Sequence, residues 1–341
     1  MINISCDLGY GMIIAKSKER EIMINNLITE IEDDKVDMIR EMLNDEDEEN
    51  VFIKHEGKYY ILGEMSARVS NIKRYLSNDV TSVYRMVQTL GSIALLSDSE
   101  QIETNIILGL PNKLAYKKEQ LSESMLGIYE IDIIKKENII HKTISIENCL
   151  TIEQPLSPIF NLKMNGIRKY NILSLDVGHN TADTTVLRKG VKSTSPREWV
   201  CVDGVKYCYE LIEQELIKKF RDYGIMSIEE LTLQETIESG LFKFKSQIID
   251  VTEEIVNPIL KKYAQYIYHE IENAYSDFLA KADIIILSGG IGANRTFINE
   301  LSQLLSAYKV VFKVLDSPQK AICTGMFNII NSKYREVTVN D

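Results

Sequence analysis

The sequence has few cysteines, and none of them forms a recognisable pair. No CxxC and no His/Cys cluster occurs, which argues against a zinc site or a dithiol redox centre. We therefore predict reduced thiols that act as small apolar side chains. The five cysteines are Cys6, Cys149, Cys201, Cys208 and Cys323.

The sequence also lacks an apolar run that approaches the roughly 20 residues needed to cross a bilayer. Its first residues, MINISCDLGYGMIIA, include an aspartate and no basic leader, so they do not resemble a signal peptide. We therefore expect a cytoplasmic protein with no membrane partner.

Basic residues are outnumbered in this chain. There are 39 lysines and arginines against 50 aspartates and glutamates, which gives a formal net charge of −11. Because proteins bind nucleic acid largely through Lys and Arg contacts to phosphates, we expect no direct contact with nucleic acid. The 341 residues, 45% of them hydrophobic, are enough for two soluble domains that each have a core.

The common glycine fingerprints of nucleotide-binding proteins are absent as well. The segment SGGIGAN at 288–294 has neither the GxGxxG spacing nor the GxxxxGKS/T spacing. It is therefore neither a dinucleotide fingerprint nor a P-loop.

Patterns typical of strands and of helices alternate along the chain. INISCDLGYGMIIAK predicts a hairpin that folds at Gly9 and Gly11, and NVFIKHEGKYYILGE predicts a second hairpin near Glu56-Gly57. The acidic run NDEDEEN between them is interpreted as a solvated loop.

Apolar residues at spacings of three and four predict an amphipathic helix over 82–96, which leads into the strand TNIILGLP. Residues 205–223 predict a second helix. The apolar face of the first helix is predicted to comprise Val83, Val87, Leu90 and Ala94.

A long helix is predicted to begin with Asn257 as its N-cap and Pro258 in its first turn. The β-branched run DIIIL that follows is typical of a central parallel strand. The apolar face of the long helix is predicted to comprise Leu260, Tyr263, Ile267, Ile271 and Phe278.

One pattern occurs in both halves of the chain. A strand ends in Asp-x-Gly and returns as a hairpin, first at Asp7-Leu8-Gly9 and again at Asp176-Val177-Gly178. If the two turns face each other, their N–H groups can enclose an anion while the carboxylates hold a hydrated Mg²⁺. A single Asp-x-Gly turn can also cap a hairpin without any ligand, so it is the repetition that favours a polyphosphate site.

A third glycine cluster follows the predicted strand IIIL. The strand runs into Ser288-Gly289-Gly290-Ile291-Gly292-Ala293, and a helix is predicted to begin near Asn294. The glycines allow a flat ring or a phosphate to lie against the backbone, and a helix N-terminus adds positive potential. A tight strand-to-helix turn without a ligand is the alternative for this segment taken alone.

The order of DLGYG, DVGHNTAD and LSGGIGAN is similar to the phosphate-1, phosphate-2 and adenosine motifs of the actin-like ATPase superfamily. That group includes actin, DnaK-like chaperones and sugar kinases. The DxGxxTxD pattern at Asp176, Gly178, Thr181 and Asp183 is the most specific match. Within the superfamily, YYILGEMSA and IILGLPNKL resemble segments of ParM-like plasmid-segregation actins and archaeal actin-like proteins.

This resemblance implies an α/β protein with the actin-like fold, in which two similar ribonuclease-H-like domains surround a nucleotide cleft. Domain I would comprise residues 1–155, with the C-terminal segment 318–341 packing back on it, and domain II would comprise residues 156–317. ATP or GTP with Mg²⁺ would be the cofactor.

The resemblance also implies roles for individual residues. Asp7 and Asp176 would hold the Mg²⁺ ion through its water shell. The phosphates would contact the Gly9, Tyr10 and Gly11 turn and the Gly178, His179 and Asn180 turn, with Thr181 and Asp183 completing the second motif. The adenosine would be bordered by Gly289, Gly290, Gly292 and Ala293.

Gln154, in TIEQPLSPIFNL, falls where the family often has a Gln or Glu that positions the attacking water, which would make it a catalytic residue with Asp7 and Asp176. A surface glutamine before a proline-led helix is the alternative interpretation. Gly325, in DSPQKAICTGMFNII, would allow close helix packing in the second connecting segment.

The sequence departs from the family at the phosphate-binding lysine. Many relatives have a lysine seven residues after the first aspartate, where this chain has Ile14. Lys16 lies two residues further on, on the same face of a strand and displaced by about 6.6 Å, so it would reach the phosphates or remain solvated. His179 is interpreted as a backbone contributor to its turn, not as an acid or base.

The resemblance implies an ATPase that assembles with itself into nucleotide-dependent filaments and segregates plasmid DNA through a DNA-binding adaptor protein. A small-molecule kinase of the same superfamily is one alternative, and a nucleotide sensor that does not polymerise is another. A DnaK-like chaperone would need a further peptide-binding domain after the last motif.

Overall fold

The computed structural model of the protein describes residues 1–44, 49–69, 79–162, 169–193 and 200–334. Most of the acidic run NDEDEEN lies outside these residues. The chain divides into two compact units. Unit 1 comprises Met1–Lys163 and Lys320–Asp341, and unit 2 comprises Met164–Gln319.

Unit 1 is built on a nine-stranded sheet in the order β3-β2-β1-β7-β9-β8-β5-β6-β4. The strands are β1 Ile2–Leu8, β2 Met12–Lys16, β3 Glu21–Asn25, β4 Ile28–Ile31, β5 Val51–His55, β6 Lys58–Leu62, β7 Gln101–Leu110, β8 Gly127–Ile134 and β9 Ile139–Glu153. The central strand β7 is parallel to β1 and to β9, whereas the other neighbours are antiparallel. Both predicted hairpins of unit 1 are confirmed.

Unit 2 contains a second sheet, in the order β12-β11-β10-β16-β17 with β13 paired to β11, and a separate hairpin of β14 and β15. Its strands are β10 Ile172–Val177, β11 Thr181–Arg188, β12 Val191–Lys192, β13 Cys201–Asp203, β14 Leu241–Phe244, β15 Gln247–Asp250, β16 Ile284–Ser288 and β17 Val311–Val314. Strand β16 is parallel to β10 and β17. Each unit therefore places an antiparallel hairpin beside two further parallel strands, which confirms the predicted repeat and the parallel strand DIIIL.

Helices cover the two sheets, and each unit has its own apolar core. The helices are α1 Val36–Met42, α2 Met65–Val69, α3 Val83–Leu95, α4 Lys118–Ser124, α5 Lys206–Lys219, α6 Glu230–Ser239, α7 Asn257–Leu279, α8 Arg295–Leu305 and α9 Ala321–Lys333. None of the described helices is long and apolar enough to cross a membrane.

Helix α3 agrees with the sequence, except at its first residue. The Ser82 side chain caps α3 by accepting a hydrogen bond from the Arg85 N–H. Val87, Leu90 and Ala94 are buried, but Val83 is exposed, so its predicted place on the buried face was wrong. Helical side chains lean toward the N-terminus, and at the first position no earlier turn lies beneath them.

The long helix α7 has Pro258 in its first turn, as predicted, but one predicted cap and one predicted helix end differ from the structure. Asn257 is not an N-cap, because a π-helical turn over Thr252–Val256 precedes it and its own backbone is helical. Its amide instead accepts a hydrogen bond from Thr296 Oγ1 at 2.8 Å. The helix predicted over 205–223 ends at Lys219, and a separate 3₁₀ turn follows at Arg221–Tyr223. The predicted apolar face of α7 is confirmed, since all five of its members are buried.

The cysteines are free thiols, as predicted. Cys6 belongs to the core of unit 1 and Cys208 to the core of unit 2. Burial raises the pKa of each of these thiols to about 12, so the reactive thiolate scarcely forms near neutral pH. Their role as apolar side chains is confirmed.

Gly325 provides a testable case of close packing. A Cβ atom on Gly325 in α9 would lie 1.9 Å from the Ser157 carbonyl oxygen. We expect Gly325→Ala to lower the free energy of unfolding by about 2–3 kcal/mol. Gly91→Ala in α3 is the matched control, because its Cβ would meet no backbone atom outside its own helix and only two side chains, Leu62 at 3.4 Å and Val51 at 3.9 Å. Because alanine has a higher helix propensity than glycine, Gly91→Ala should leave the free energy of unfolding unchanged or raise it by up to about 1 kcal/mol. Thermal melting of both variants measures the difference. Equal melting temperatures would contradict the close packing at Gly325.

Candidate nucleotide site

Asp7 lies one residue before the end of β1 and is buried, with 5% of its surface exposed. Gln154 Nε2 donates a hydrogen bond to Asp7 Oδ1 at 2.7 Å. Burial raises the pKa of the Asp7 carboxyl to about 6, and the hydrogen bond from Gln154 opposes part of that rise. A cation close to this buried carboxyl would favour its charged form and lower its pKa again.

Gln154 reaches Asp7 because of the sheet topology. It follows β9 directly and begins the 3₁₀ segment Gln154–Asn161. Strand β7 separates β9 from β1, and Gly109 in β7 leaves the necessary space, since a Cβ there would lie 2.8 Å from Gln154 Cγ. Sequence reasoning missed Gly109, although a glycine inside a strand is a known sign of close approach.

Two buried side-chain amides, Asn26 and Gln88, support the Gly9–Gly11 turn. Asn26 Nδ2 donates to the Gly9 carbonyl oxygen at 2.5 Å, and the Asn26 N–H donates to the Gly11 carbonyl at 3.0 Å. Gln88 of α3 in turn donates to Asn26 Oδ1. Both amide side chains are at most 4% exposed. Sequence reasoning missed this pair, because isolated amides carry no motif.

Lys16, two residues after the position where this chain departs from the family, forms an ion pair. Lys16 Nζ lies 2.7 Å from Glu21 Oε2, and Lys320 Nζ lies 2.5 Å from the other oxygen of the same carboxylate. Ile14, at the family's lysine position, is buried and pairs with Asp7 across the hairpin. The structure therefore places Lys16 in an ion pair with Glu21.

Asp176 occupies the equivalent place in unit 2, one residue before the end of β10. It is 7% exposed and its Oδ1 accepts a hydrogen bond from Ser288 Oγ at 2.9 Å. Ser288 ends β16, the parallel neighbour of β10, and is the register partner of Asp176. Asp183 pairs with Asp176 on the other side, in β11, and accepts a hydrogen bond from Thr181 Oγ1 at 2.7 Å.

The turn after Asp176 presents its amides in a fixed direction. The carbonyls of Gly178, His179 and Asn180 accept hydrogen bonds from the N–H groups of residues 205, 206 and 204, at 2.8–3.0 Å. These donors lie at the start of α5. Because the C=O and N–H of a trans peptide point in opposite directions, the amides of His179 and Asn180 point away from α5. Such an array of amides is suited to an anion.

Gly204 makes that arrangement possible, and sequence reasoning missed it. A Cβ on Gly204 would lie 2.5 Å from the Gly178 carbonyl oxygen and 2.5 Å from the Thr181 nitrogen. The His179 ring, meanwhile, has its own partners, with Nε2 3.2 Å from Glu230 Oε1 and the Tyr209 ring 5.5 Å away between centroids. These partners support the interpretation that His179 contributes its backbone to the turn.

The third glycine segment divides into buried and open positions. Gly289 has a φ of +92° and packs against the Val177 carbonyl, and Gly292 packs against Pro318. Gly290 and Ala293 are exposed, and a Cβ on Gly290 would meet no heavy atom within 4 Å. Asn294 caps α8 by accepting a hydrogen bond from the Phe297 N–H at 3.1 Å, which confirms the predicted start of this helix. The open positions are therefore Gly290 and Ala293, while Gly289 and Gly292 shape the backbone.

The shifted pKa of Asp7 leads to a stability prediction. Folding raises the pKa of Asp7 from 3.8 to about 6. The protonated carboxyl therefore adds to the free energy of unfolding fully below pH 4, and this addition is lost as the pH rises through 6. The shift corresponds to at most about 3 kcal/mol. We expect Asp7→Asn, in Mg²⁺-free buffer, to unfold at higher urea concentration than the parent protein at pH 7.5 but not at pH 4. An equal difference at both pH values would contradict the shifted pKa.

Comparison with known proteins identifies the fold, and family models match each half of the chain. A family model described as the N-terminal domain of actin-like proteins matches residues 5–156, and a model described as archaeal actin homologue MreB-like, C-terminal, matches residues 174–301. No match was found among curated proteins.

Three solved structures illustrate the likeness. Actin-like protein Alp7A matches with a TM-score of 0.76 at 16% identity, covering 97% of this chain and 96% of that one. A 15-stranded ParM filament from Clostridium botulinum gives 0.77 at 20% identity, covering 97% and 99%. The archaeal actin homologue Ta0583 in complex with ADP gives 0.76 at 13% identity, covering 97% and 100%. The fold is the actin-like fold. The chain therefore has an N-terminal part that matches the actin-like model and a C-terminal part that matches the archaeal MreB-like model.

Proposed function

We propose that this protein is an ATPase that assembles with its own copies into filaments when it binds nucleotide and Mg²⁺. The observation that carries the proposal is one design present in both units: a buried aspartate at the end of the first strand, followed by a tight turn. Similarity to the Clostridium botulinum ParM filament and to ADP-bound Ta0583 supports assembly and nucleotide binding.

The chemistry would rest on positioning and charge. Asp7 and Asp176 would orient the water shell of the cation, and the backbone amides of the two turns would contact the phosphates. When bound, Mg²⁺ would neutralise charge on the phosphates. Gln154 donates to Asp7 through its amide nitrogen, so its carbonyl end is the one that can accept a hydrogen bond from the attacking water.

We propose plasmid segregation in the cytoplasm as the use of the filament. Similarity to ParM-like proteins supports this role. The net charge of −11 opposes direct contact with DNA, so a separate DNA-binding adaptor protein would connect filament and plasmid.

Light scattering with pelleting and phosphate release tests the proposal. Purified protein is mixed with Mg²⁺ and ATP, GTP, ADP or no nucleotide, with Asp176→Ala in parallel. We expect scattering that rises only with a triphosphate, decays as phosphate appears, and is absent in Asp176→Ala. Flat scattering at high protein concentration would overturn the filament. Turnover stimulated by a small hydroxyl or carboxyl compound would then indicate a kinase, and nucleotide binding without turnover would indicate a sensor.

A further inference from the structure

The first hairpin offers the phosphates no lysine of its own. Ile14 is apolar and buried beside Asp7, and Lys16 is paired with Glu21, which also holds Lys320. A nucleoside triphosphate would bring several negative charges to a turn that begins two residues after the acidic Asp7. A side-chain cation from unit 1 for these phosphates would therefore come from a different segment of that unit.

Unit 1 has a lysine beside the Gly9–Gly11 turn. Lys113 Nζ lies 5.9 Å from the centroid of the Tyr10 ring. Its side chain is exposed, and Lys113 belongs to the 3₁₀ segment Asn112–Lys117 that follows β7. The segment is anchored by Leu114, which is 4% exposed and donates its N–H to the Pro111 carbonyl at 2.9 Å.

The topology explains why Lys113 meets this turn. Strand β7 is parallel to β1, with Leu108 opposite Cys6, so the residues after both strands emerge at the same edge of the sheet. Asp7 and Gln154 lie at that edge as well. Ligands of open α/β sheets bind at the carboxyl ends of the strands, and Lys113 is placed there by its position three residues after β7.

We propose that Lys113 supplies the phosphate-binding cation that the first hairpin lacks. This inference rests on the proposed function and adds one residue to the same site. Before the nucleotide binds, the ammonium lies over Tyr10. An exposed cation–π contact is weaker than a charge-assisted contact to phosphate, so the nucleotide can draw Lys113 away from the ring. A lysine on a long flexible stem suits this exchange.

The test compares the dissociation constants of ATP, ADP and AMP, each with Mg²⁺, for the full-length protein and its variants. We expect Lys113→Ala to weaken ATP binding by about ten- to a hundredfold, with a much smaller effect on AMP. Lys113→Arg should restore most of the ATP affinity, because the charge remains. Lys117→Ala is the matched control, a lysine of the same segment that lies over the exposed Tyr116 ring, and it should bind ATP within about twofold of the parent protein.

Two results would overturn the inference while leaving the proposed function intact. One is ATP binding by Lys113→Ala at parental strength, most clearly if Lys16→Ala is weakened instead. The other is an equal loss for ATP, ADP and AMP with no recovery in Lys113→Arg, which would indicate a structural role. A parent protein that binds none of the three nucleotides would overturn both proposals. Circular dichroism of each variant verifies that it is folded.

Discussion

Gln154→Ala should release phosphate on the order of 10²-fold more slowly than the parent protein while still binding ATP. The loss follows from positioning, since misplacing a reacting group by about 1 Å can cost that much. The 2.7 Å hydrogen bond holds Gln154 at Asp7, and Gly109 leaves room for the Gln154 side chain because it has no Cβ. Single-turnover phosphate release and the dissociation constant of ATP, measured on the same preparation, separate the two effects.

Gln101→Ala is the matched control for this prediction. Gln101 lies at the opposite end of β7 from Gly109, and its amide donates to Thr143 Oγ1 at 3.2 Å on an exposed surface. Its loss should leave phosphate release unchanged. If Gln154→Ala turned over at the parental rate, Gln154 would be only a hydrogen-bond partner of Asp7. If it lost ATP affinity and turnover in equal proportion, the residue would contribute to binding and not to the chemical step.

Gly289→Ala should destabilise unit 2 by about 3 kcal/mol or more. A Cβ there would lie 2.1 Å from the Val177 carbonyl oxygen, and the φ of +92° is one that only glycine adopts without strain. The left-handed backbone costs a residue with a side chain about 1–2 kcal/mol, and the overpacking costs about 1–3 kcal/mol more. Urea denaturation followed by circular dichroism measures the loss.

The adjacent glycine provides the control. Gly290→Ala introduces the same methyl group one residue later, where no heavy atom lies within 4 Å and the backbone has no positive φ. Its stability should remain within about 0.5 kcal/mol of the parent protein. Equal denaturation midpoints for the two variants would mean that β10 and β16 do not approach each other as closely at their ends as the structure has them.

The sequence predicted those features that depend on residues close together in the chain. The hairpins at Gly9–Gly11 and Glu56-Gly57, the strand DIIIL and the start of a helix near Asn294 were predicted in this way and are confirmed. Each depends on turn chemistry, on alternation or on a cap within a few residues. The same local reasoning placed Asp7 and Asp176 at the ends of buried strands.

Prediction failed where a neighbour outside the local pattern determines the conformation. Asn257 has the composition of an N-cap, but its amide is bonded to Thr296 and its backbone is helical. For Lys16, the sequence left open contact with the phosphates or solvation, and the structure adds an ion pair with Glu21, which also pairs with Lys320. Neither partner is visible in a pattern, because strand pairing and helix packing bring them together.

The sequence by itself determined the two Asp-x-Gly turns, the alternation of strands and helices, and the resemblance that those motifs carry. Only the tertiary structure decided which side chains support the turns. Gln154 meets Asp7 across 147 residues of chain, and Gln88 meets Asn26 across 62. The physical reason is that a buried amide or carboxylate must find a hydrogen-bond partner, and the sheet order, not the sequence neighbourhood, determines which partner lies within reach.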